Sequence, residues 1–366
     1  MRKGAARVVS EAGARIGVLT FHRCINYGSY WQARCLVEGL ASRGLNPLLL
    51  DHRSRGVDRK EWRTALSPTA SGRPTPELYA YRRKIRLFNQ AVESTLPLSA
   101  PFALSQPTEA GVFDTLLVGS DEVWNFRHPW YGSERAFFGD SFRARRLAAY
   151  AASFGAHDAE GGVGPEWRTL LRRFSAISVR DENSRRLVAA ALGETPSLAL
   201  DPCLQFPRAA AVPNAPESGE ILIYGHGFPA WFQDAVRGFA VAVGAPLVSF
   251  GYQNDWADEQ RIAEGPESFA RAMAASRAVV TNFFHGCVFS VINRRPFAAA
   301  LSPYRANKVS DLLHRLGLQS RLLDEDAPPW RYVSALTEPP EAAVEERLAR
   351  QRTASDRFLD RALSAP

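Results

Sequence analysis

The chain has 366 residues, 46% of them hydrophobic and 11% aromatic, which is more apolar material than one hydrophobic core of ordinary size takes up. Its net charge of +7 points to an anionic partner without choosing among nucleic acid, a membrane surface and a phosphorylated substrate. The four cysteines lie far apart and form no C-x-x-C pair, which argues against a disulfide scaffold and structural zinc. No apolar signal core follows the basic start, and no run approaches the roughly 18 apolar residues of a transmembrane helix. We therefore expect a cytoplasmic protein of two domains, with no metal.

The chain opens with a pattern typical of a βαβ unit. An apolar strand at 15–20 is followed by a polar loop and by a helix over 31–43, which Gly44 terminates. A second strand follows at 47–51. Parallel pairing of these strands is expected.

A basic excursion over 53–94 interrupts this pattern. Residues 53–76 are rich in turn formers and predict a mobile surface region, and a basic helix is expected near 77–94. Ten Lys or Arg stand against three acids between 53 and 86. This segment is interpreted either as a solvated basic surface or as a specific anion-binding face.

Strand patterns resume at 115–119, 148–153 and 176–180, so the first domain is predicted to span 1–205. A second domain over 206–340 repeats the alternation, and 341–366 reads as a terminal helix. The fold class is therefore α/β, with two Rossmann-like domains facing across a cleft. Ligands of such sheets bind beyond the carboxyl ends of the strands, so the loops that follow the strands are the candidate sites.

The first candidate loop contains Asn26, Tyr27, Gly28 and Ser29 and joins the first strand to a helix N-terminus. Free N–H groups and the helix dipole favour a phosphate or carboxylate there. The loop matches neither GxGxxG nor a P-loop, so an ordinary capped turn is an equal alternative.

The second loop carries Ser120, Asp121, Glu122 and Trp124 just past a buried strand. Two carboxylates and an indole suit sugar hydroxyls and stacking. The alternative is that Ser120 and Asp121 cap a helix while Trp124 belongs to the core.

The third and fourth loops supply a cation and a histidine. Arg180 ends a strand that is otherwise apolar, where its guanidinium offers a planar fork to phosphate or carboxylate. A surface pairing of Arg180 with a neighbouring acid is the alternative. Asn282, His285 and Gly286 follow the strand at 278–281, and a histidine among aromatics is either catalytic or a hydrogen-bonded core residue.

Taken together, these loops resemble the polysaccharide pyruvyl transferase family. The matching segments occur in the family's order from about residue 16 to 323 and cover most of the chain. They are Asn26-Tyr27-Gly28-Ser29 with Gln32, Val118 to Asn125, Tyr150 to Gly155, Ser178 to Asp181, Asp201-Pro202, and Phe284 to Ser290 with Pro296-Phe297.

The resemblance implies a GT-B-like fold and transfer of the carboxyethylidene unit of phosphoenolpyruvate onto two sugar hydroxyls as a pyruvate ketal, releasing phosphate. It implies no metal or redox cofactor, a donor side in 206–340 and an acceptor side in 1–205. Arg180 matches the family's donor-binding arginine, His285 its signature histidine, and Lys308 a position that is often basic. Phe283 stands where some members carry an arginine, so Arg23, Arg305 or Lys308 is expected to replace that contact if it is made.

On this basis His285 is the predicted acid, protonating the methylene carbon of the donor, and Asp121 or Glu122 the predicted base. Two rivals are a nucleotide-sugar glycosyltransferase of the same fold and a diverged, non-catalytic glycan-binding protein. Nucleic acid is not expected, because the basic residues of 53–86 are not interleaved with aromatics in a reading motif. Peripheral contact with the inner face of a membrane, next to a lipid-linked acceptor, is the preferred use of that charge.

Overall fold

The computed structural model describes residues 15–66, 78–301 and 306–364. Three expectations fall outside these residues: those for the basic N-terminus, for the turn formers at 67–74, and for Arg305 as a donor contact.

The first half of the chain forms one parallel sheet of six strands: β1 (Arg15–Leu19), β2 (Asn46–Leu49), β3 (Val112–Val118), β4 (Arg143–Ala152), β5 (Ala176–Val179) and β6 (Ser197–Leu198). The strand order is β2-β1-β3-β4-β5-β6, and every neighbouring pair is parallel. Most of β1 and β3 is buried, as expected for strands covered by helices on both faces.

The second half repeats the arrangement with β7 (Ile221–Tyr224), β8 (Leu247–Phe250), β9 (Glu259–Arg261), β10 (Ala278–Thr281), β11 (Phe297–Ala300) and β12 (Leu322–Leu323). Their order is β12-β11-β10-β7-β8-β9, again with parallel neighbours. The α/β class and the two Rossmann-like sheets predicted from the sequence are confirmed.

The α-helices of the described residues are α1 (Tyr27–Ser42), α2 (Arg55–Leu66), α3 (Leu78–Thr95), α4 (Pro165–Leu171), α5 (Glu182–Leu192), α6 (Pro202–Gln205), α7 (Ala230–Val243), α8 (Pro266–Ala275), α9 (Phe284–Ile292), α10 (Ala306–Leu316), α11 (Pro329–Thr337) and α12 (Ala342–Leu363). Within this described part of the chain, no helix has both the length and the apolar character needed to cross a bilayer.

Two predicted element boundaries were wrong. Helix α1 begins at Tyr27 rather than near residue 31, because the Asn26 side chain accepts hydrogen bonds from the amides of Gly28 and Ser29 and starts the helix there. Residues 55–66 form helix α2 instead of a turn-rich excursion. Val57 and Glu61 bury one face of α2, and this packing outweighs the local turn signals.

One cluster of buried hydrophobic residues includes members from both halves of the chain. Its buried members include Tyr27 and Trp31 from α1 and Phe269 and Phe289 from the second half. Tyr27 stacks on Phe269 with ring centroids 4.5 Å apart, and the Trp31 indole donates to the Pro266 carbonyl at 3.1 Å. Contacts between α1 of the first half and α8 of the second half therefore hold the two halves together.

Helix α12 returns from the second half to pack on the first. Its Phe358 ring lies 6.4 Å from that of Tyr150 on β4, and Ser355 accepts a hydrogen bond from the Leu200 amide. The predicted terminal helix is thus present. The domain limits at 205 and 340 stay predictions.

Candidate active site

Four loops that follow strands converge at one place between the sheets. Asp121 follows β3, Arg180 follows β5, Asp201 follows β6 and His285 opens α9 after β10. All four side chains are at least nine-tenths buried. Asp121, Arg180 and Asp201 lie together because parallel strands of one sheet end at the same edge, and His285 reaches them from the second sheet.

Arg180 is the centre of this cluster. Its two terminal nitrogens contact Asp201 at 3.3 Å and Asp121 at 3.2 Å, and its guanidinium carbon lies 4.8 Å from the centre of the Phe284 ring. Burial alone would lower the pKa of Arg180, but the Asp121 and Asp201 carboxylates outweigh it and raise the pKa. Arg180 is therefore a permanently charged cation in a water-poor site.

His285 faces the same carboxylate. Its Nε2 lies 3.4 Å from Asp201 Oδ2, close enough for an ion pair but longer than a good hydrogen bond. Burial raises the pKa of Asp201, yet the His285 and Arg180 charges outweigh burial and lower it to about 2. Asp201 is thus an anion shared by the histidine and the arginine.

The Asn26 loop sets the position of the His285 ring. A Cβ atom placed on Gly28 would lie 2.0 Å from His285 Nδ1, so only glycine lets the ring approach the start of α1 this closely. The amides of Gly28 and Ser29 already donate to the Asn26 side chain, which corresponds to the capped-turn alternative. Ser29 adds one polar contact, donating its hydroxyl to Asp121 Oδ2 at 2.8 Å.

Glu122 and Lys308 form a second charged pair beside the first. The Lys308 ammonium contacts Glu122 Oε1, and Asn125 donates to Glu122 Oε2 at 2.8 Å. Burial raises the pKa of Glu122, but Lys308 and Arg180 outweigh it and lower the pKa to about 2. Glu122 is therefore a weak proton acceptor.

Several predicted site residues have structural partners instead of facing the cluster. Trp124 is 1% exposed and its indole donates to the Phe137 carbonyl, which is the core alternative. Ser120 is buried and donates to the Gln32 side chain. The Tyr27 hydroxyl donates to the Glu264 carbonyl at 2.8 Å, joining the two halves.

The loop after β10 is tied by the Asn282 side chain to the loop after β7. Asn282 donates to the His226 carbonyl at 2.8 Å, and among the described residues its buried Oδ1 has no hydrogen-bond partner. A Cβ on Gly286 would lie 2.0 Å from the Thr281 hydroxyl, so this glycine lets α9 pack against the end of β10.

Phe283 occupies an aromatic pocket. Its ring centroid lies 5.0 Å from Tyr224, 5.1 Å from Tyr252 and 5.4 Å from His226. Of the expected replacements for the missing arginine, Arg23 is engaged elsewhere, since it donates to both oxygens of Asp51. Among the described candidates, Lys308 is the one that lies beside the charged cluster, where it pairs with Glu122.

Sequence reasoning overlooked the role of Asp201. From the sequence it is named only as part of the resemblance, although Asp-Pro at a helix start is a usable signal. Asp201 caps α6 by accepting from the Cys203 amide. Lys84 was also missed. It was counted in a basic surface, but it is 2% exposed and donates to the Gly251 carbonyl at 2.6 Å.

One trio has ligand atoms spaced for a metal ion: atoms of Asp201, Cys203 and His285 all lie within 4.8 Å of one another. Arg180 contacts the same Asp201 oxygen as His285 does. A guanidinium at this distance repels a cation, so the trio fits a metal poorly.

Comparison with solved structures agrees with the GT-B-like architecture. A UDP-N-acetylglucosamine 2-epimerase shares 10% identity with a TM-score of 0.52, over 96% of this chain and 95% of that one. A putative enzyme of the same name from Listeria monocytogenes shares 10% identity with a TM-score of 0.51, over 95% of each chain.

Family relationships come from the sequence itself. Among curated proteins, none matches this chain. The model of the family described as polysaccharide pyruvyl transferase matches residues 26–302, a range that includes Asp121, Arg180, Asp201 and His285. This match spans well over half of the 366 residues, and the chain belongs to the polysaccharide pyruvyl transferase family.

Proposed function

We propose that this protein transfers the carboxyethylidene unit of phosphoenolpyruvate to two hydroxyls of a sugar or glycan precursor, forming a pyruvate ketal and releasing phosphate. The observation that carries the proposal is the cluster of Arg180, His285, Asp201 and Asp121 at one buried place between the sheets. It combines a fixed cation for an anionic donor with a proton donor and carboxylate acceptors.

Donor binding is assigned to Arg180 and Lys308. Phosphoenolpyruvate carries a carboxylate and a phosphate, and a guanidinium binds either with two parallel hydrogen bonds. Among the described residues, the buried Nε of Arg180 has no hydrogen-bond partner, so the guanidinium has a donor to spare. Lys308 supplies the second charge from the opposite half of the molecule, where it stabilises the departing phosphate.

The chemistry begins with a proton from His285. An imidazolium at His285 has its counter-charge in place, since Asp201 lies 3.4 Å from Nε2. Transfer of this proton to the methylene carbon of the donor makes the methyl group and leaves an oxocarbenium-like centre at C2. A sugar hydroxyl then forms the first C–O bond to C2, and its proton passes to a carboxylate.

A second hydroxyl completes the ketal. It forms the second C–O bond at C2 as the bond to the phosphate oxygen breaks, and its proton is carried off with the phosphate or through His285. Asp121 is the preferred base for the first hydroxyl, because Lys308 and Arg180 make Glu122 a weak acceptor by lowering its pKa to about 2.

The proposal is tested by phosphate release from phosphoenolpyruvate over a panel of sugars and glycan precursors. The intact protein should release phosphate only with a matching acceptor, and the product should gain the mass of the ketal. His285→Gln should lower turnover by roughly 10²–10⁴-fold, the usual contribution of a positioned acid. His314→Gln, on an exposed position of α10, is the matched control.

Near-normal turnover of His285→Gln would overturn the assignment of the acid. Absence of any phosphate release, together with tight binding of a nucleoside diphosphate, would favour the glycosyltransferase alternative. Glycan binding without turnover would leave the diverged, non-catalytic alternative.

A further inference from the structure

Helices α2 and α3 carry a predominantly basic surface. We call it the basic helical face, and it consists of exposed Arg55, Arg59, Lys60, Arg63, Arg82, Arg83 and Arg86. The acids of α2 do not offset it. Glu61 is 5% exposed, and Asp58 is half-buried.

Two aromatic rings stand among these cations. Trp62 is 47% exposed and Tyr79 is 82% exposed, so both project into solvent. Tryptophan and tyrosine rings beside Lys and Arg are typical of surfaces that lie at the headgroup level of a bilayer. Single-stranded nucleic acid is usually held in a groove with stacking platforms, whereas these rings project outward.

The basic helical face is connected to both sides of the candidate active site. Its inward residue Glu61 lies beside the Cys24 thiol and the Ile25 amide, directly before Asn26. The inward residue of α3, Lys84, donates to the Gly251 carbonyl, which follows β8 in the second half of the chain. The helices that bear the surface charge therefore pack against loops of both halves.

We propose that the basic helical face docks the protein onto an anionic lipid surface, with its cations against phospholipid headgroups and with Trp62 and Tyr79 at the interface. A lipid surface attracts each nearby Lys or Arg over about one Debye length, and seven such residues on two adjacent helices act together. Docking brings the loops next to Asn26 close to the bilayer. Docking on the lipid surface does not depend on the proposed function. Only the further idea that the sugar acceptor is lipid-linked rests on the proposed function.

The test is co-sedimentation of the full chain with vesicles of phosphatidylcholine containing about 30% phosphatidylglycerol. Binding should be strong at low salt, weaken at least severalfold at 0.5 M salt, and be absent with pure phosphatidylcholine. Arg82→Glu/Arg83→Glu should weaken binding at least about tenfold, since two attractive charges become repulsive.

A matched control changes the net charge by the same amount on another surface. Arg350→Glu/Arg357→Glu alters two exposed arginines of α12 and should retain binding. Trp62→Ala gives a second, independent variant, and it should weaken binding without changing the charge. Circular dichroism on every variant separates a lost surface from a lost fold.

Equal loss of binding in the α3 double variant (Arg82→Glu/Arg83→Glu) and the α12 double variant would overturn the proposal, because net charge alone would then explain the attraction. Failure to bind anionic vesicles at low salt would overturn it as well. Binding of a labelled oligonucleotide that Arg82→Glu/Arg83→Glu weakens, without vesicle binding, would assign the surface to nucleic acid. These measurements need neither phosphoenolpyruvate nor turnover, so their failure is distinguishable from failure of the proposed function.

Discussion

Both sheets consist of six parallel strands, but different kinds of side chain lie at their carboxyl edges. The carboxyl edge of the first sheet is charged and presents Asp121, Arg180 and Asp201. The corresponding edge of the second sheet is mostly aromatic, and its Tyr224, Tyr252 and Phe283 pack on one another. From the second half, His285 and Lys308 reach across to pair with carboxylates of the first.

This difference implies that the two halves of the chain contribute different groups to the site. In the proposed reaction, the first half supplies fixed charges, and the second half supplies a proton donor and a second cation. The proposal requires both sets, because His285 of the second half has its counter-charge, Asp201, in the first half. Variants that act on one half or on the contact between the halves test this division.

The largest effect is expected from the central cation. Arg180→Gln should lower kcat/KM by about 10³-fold or more, because one buried donor of this kind already contributes 10²–10³. It also leaves Asp121 and Asp201 facing each other without the charge between them. Arg180→Lys keeps the charge but not the planar fork, so steady-state kinetics should show only partial recovery. Full activity of Arg180→Lys would contradict a bidentate role.

A methyl group at Gly28 tests the contact between the halves. Gly28→Ala places a Cβ where His285 Nδ1 now lies, so the ring must shift while the charged edge stays intact. A displacement of about 1 Å costs roughly 10²-fold in rate, which single-turnover kinetics can measure. Gly238→Ala is the control, because a Cβ there meets nothing within 4 Å. Equal activity of the two variants would show that the Gly28 contact is not required.

A smaller effect is expected from the second cation. Lys308→Met should raise the KM for phosphoenolpyruvate by about tenfold, the change that accompanies loss of about 1.4 kcal/mol of binding. It should also raise the pKa of Glu122, whose carboxyl the Lys308 charge now keeps at about 2. Acid titration followed by NMR can detect the second change. An unchanged KM would remove Lys308 from the donor site.

The smallest effect on turnover, but a clear one on stability, is expected at Lys84. Burial lowers the pKa of Lys84 to about 7, so the unfolded chain binds a proton that the folded chain releases. The free energy of unfolding should therefore rise between about pH 7 and pH 10, by at most about 1.4 kcal/mol per pH unit. Lys84→Met should lose this rise, whereas Lys60→Met, at an exposed position of α2, should keep it. Urea unfolding at several pH values checks the difference, and identical pH profiles would contradict it.

The fold was predictable because apolar runs and polar loops alternate with the spacing of βαβ units. Arg180 directly follows β5 and His285 lies four residues after the end of β10, so both could be singled out from the sequence as residues beyond buried strands. Asp201 follows a strand of only two residues, too short to leave a periodic signal. Asp201 contacts Arg180, which precedes it by 21 positions in the chain, and His285, which follows it by 84 positions. Local sequence does not reveal contacts over such separations.

Lys84 and Trp124 show that position in the sequence does not fix the direction of a side chain. Nothing in the sequence distinguishes Lys84 from the arginines beside it, and only the packing of α3 against Tyr27 and Tyr252 turns it inward. Trp124 follows a strand as a site residue would, but Phe138 and Phe154 enclose it. A residue's position in the chain gives its distance from the edge of the sheet, and tertiary packing decides which way the side chain points.

The most direct test of the central claim is isothermal titration of phosphoenolpyruvate into the intact protein and into Arg180→Gln. The intact protein should bind one equivalent, Arg180→Gln should bind at least about tenfold more weakly, and a nucleoside diphosphate should not compete. Tight binding of the nucleoside diphosphate with none of phosphoenolpyruvate, or equal binding of phosphoenolpyruvate by both proteins, would contradict the assignment of this charged cluster as the donor site.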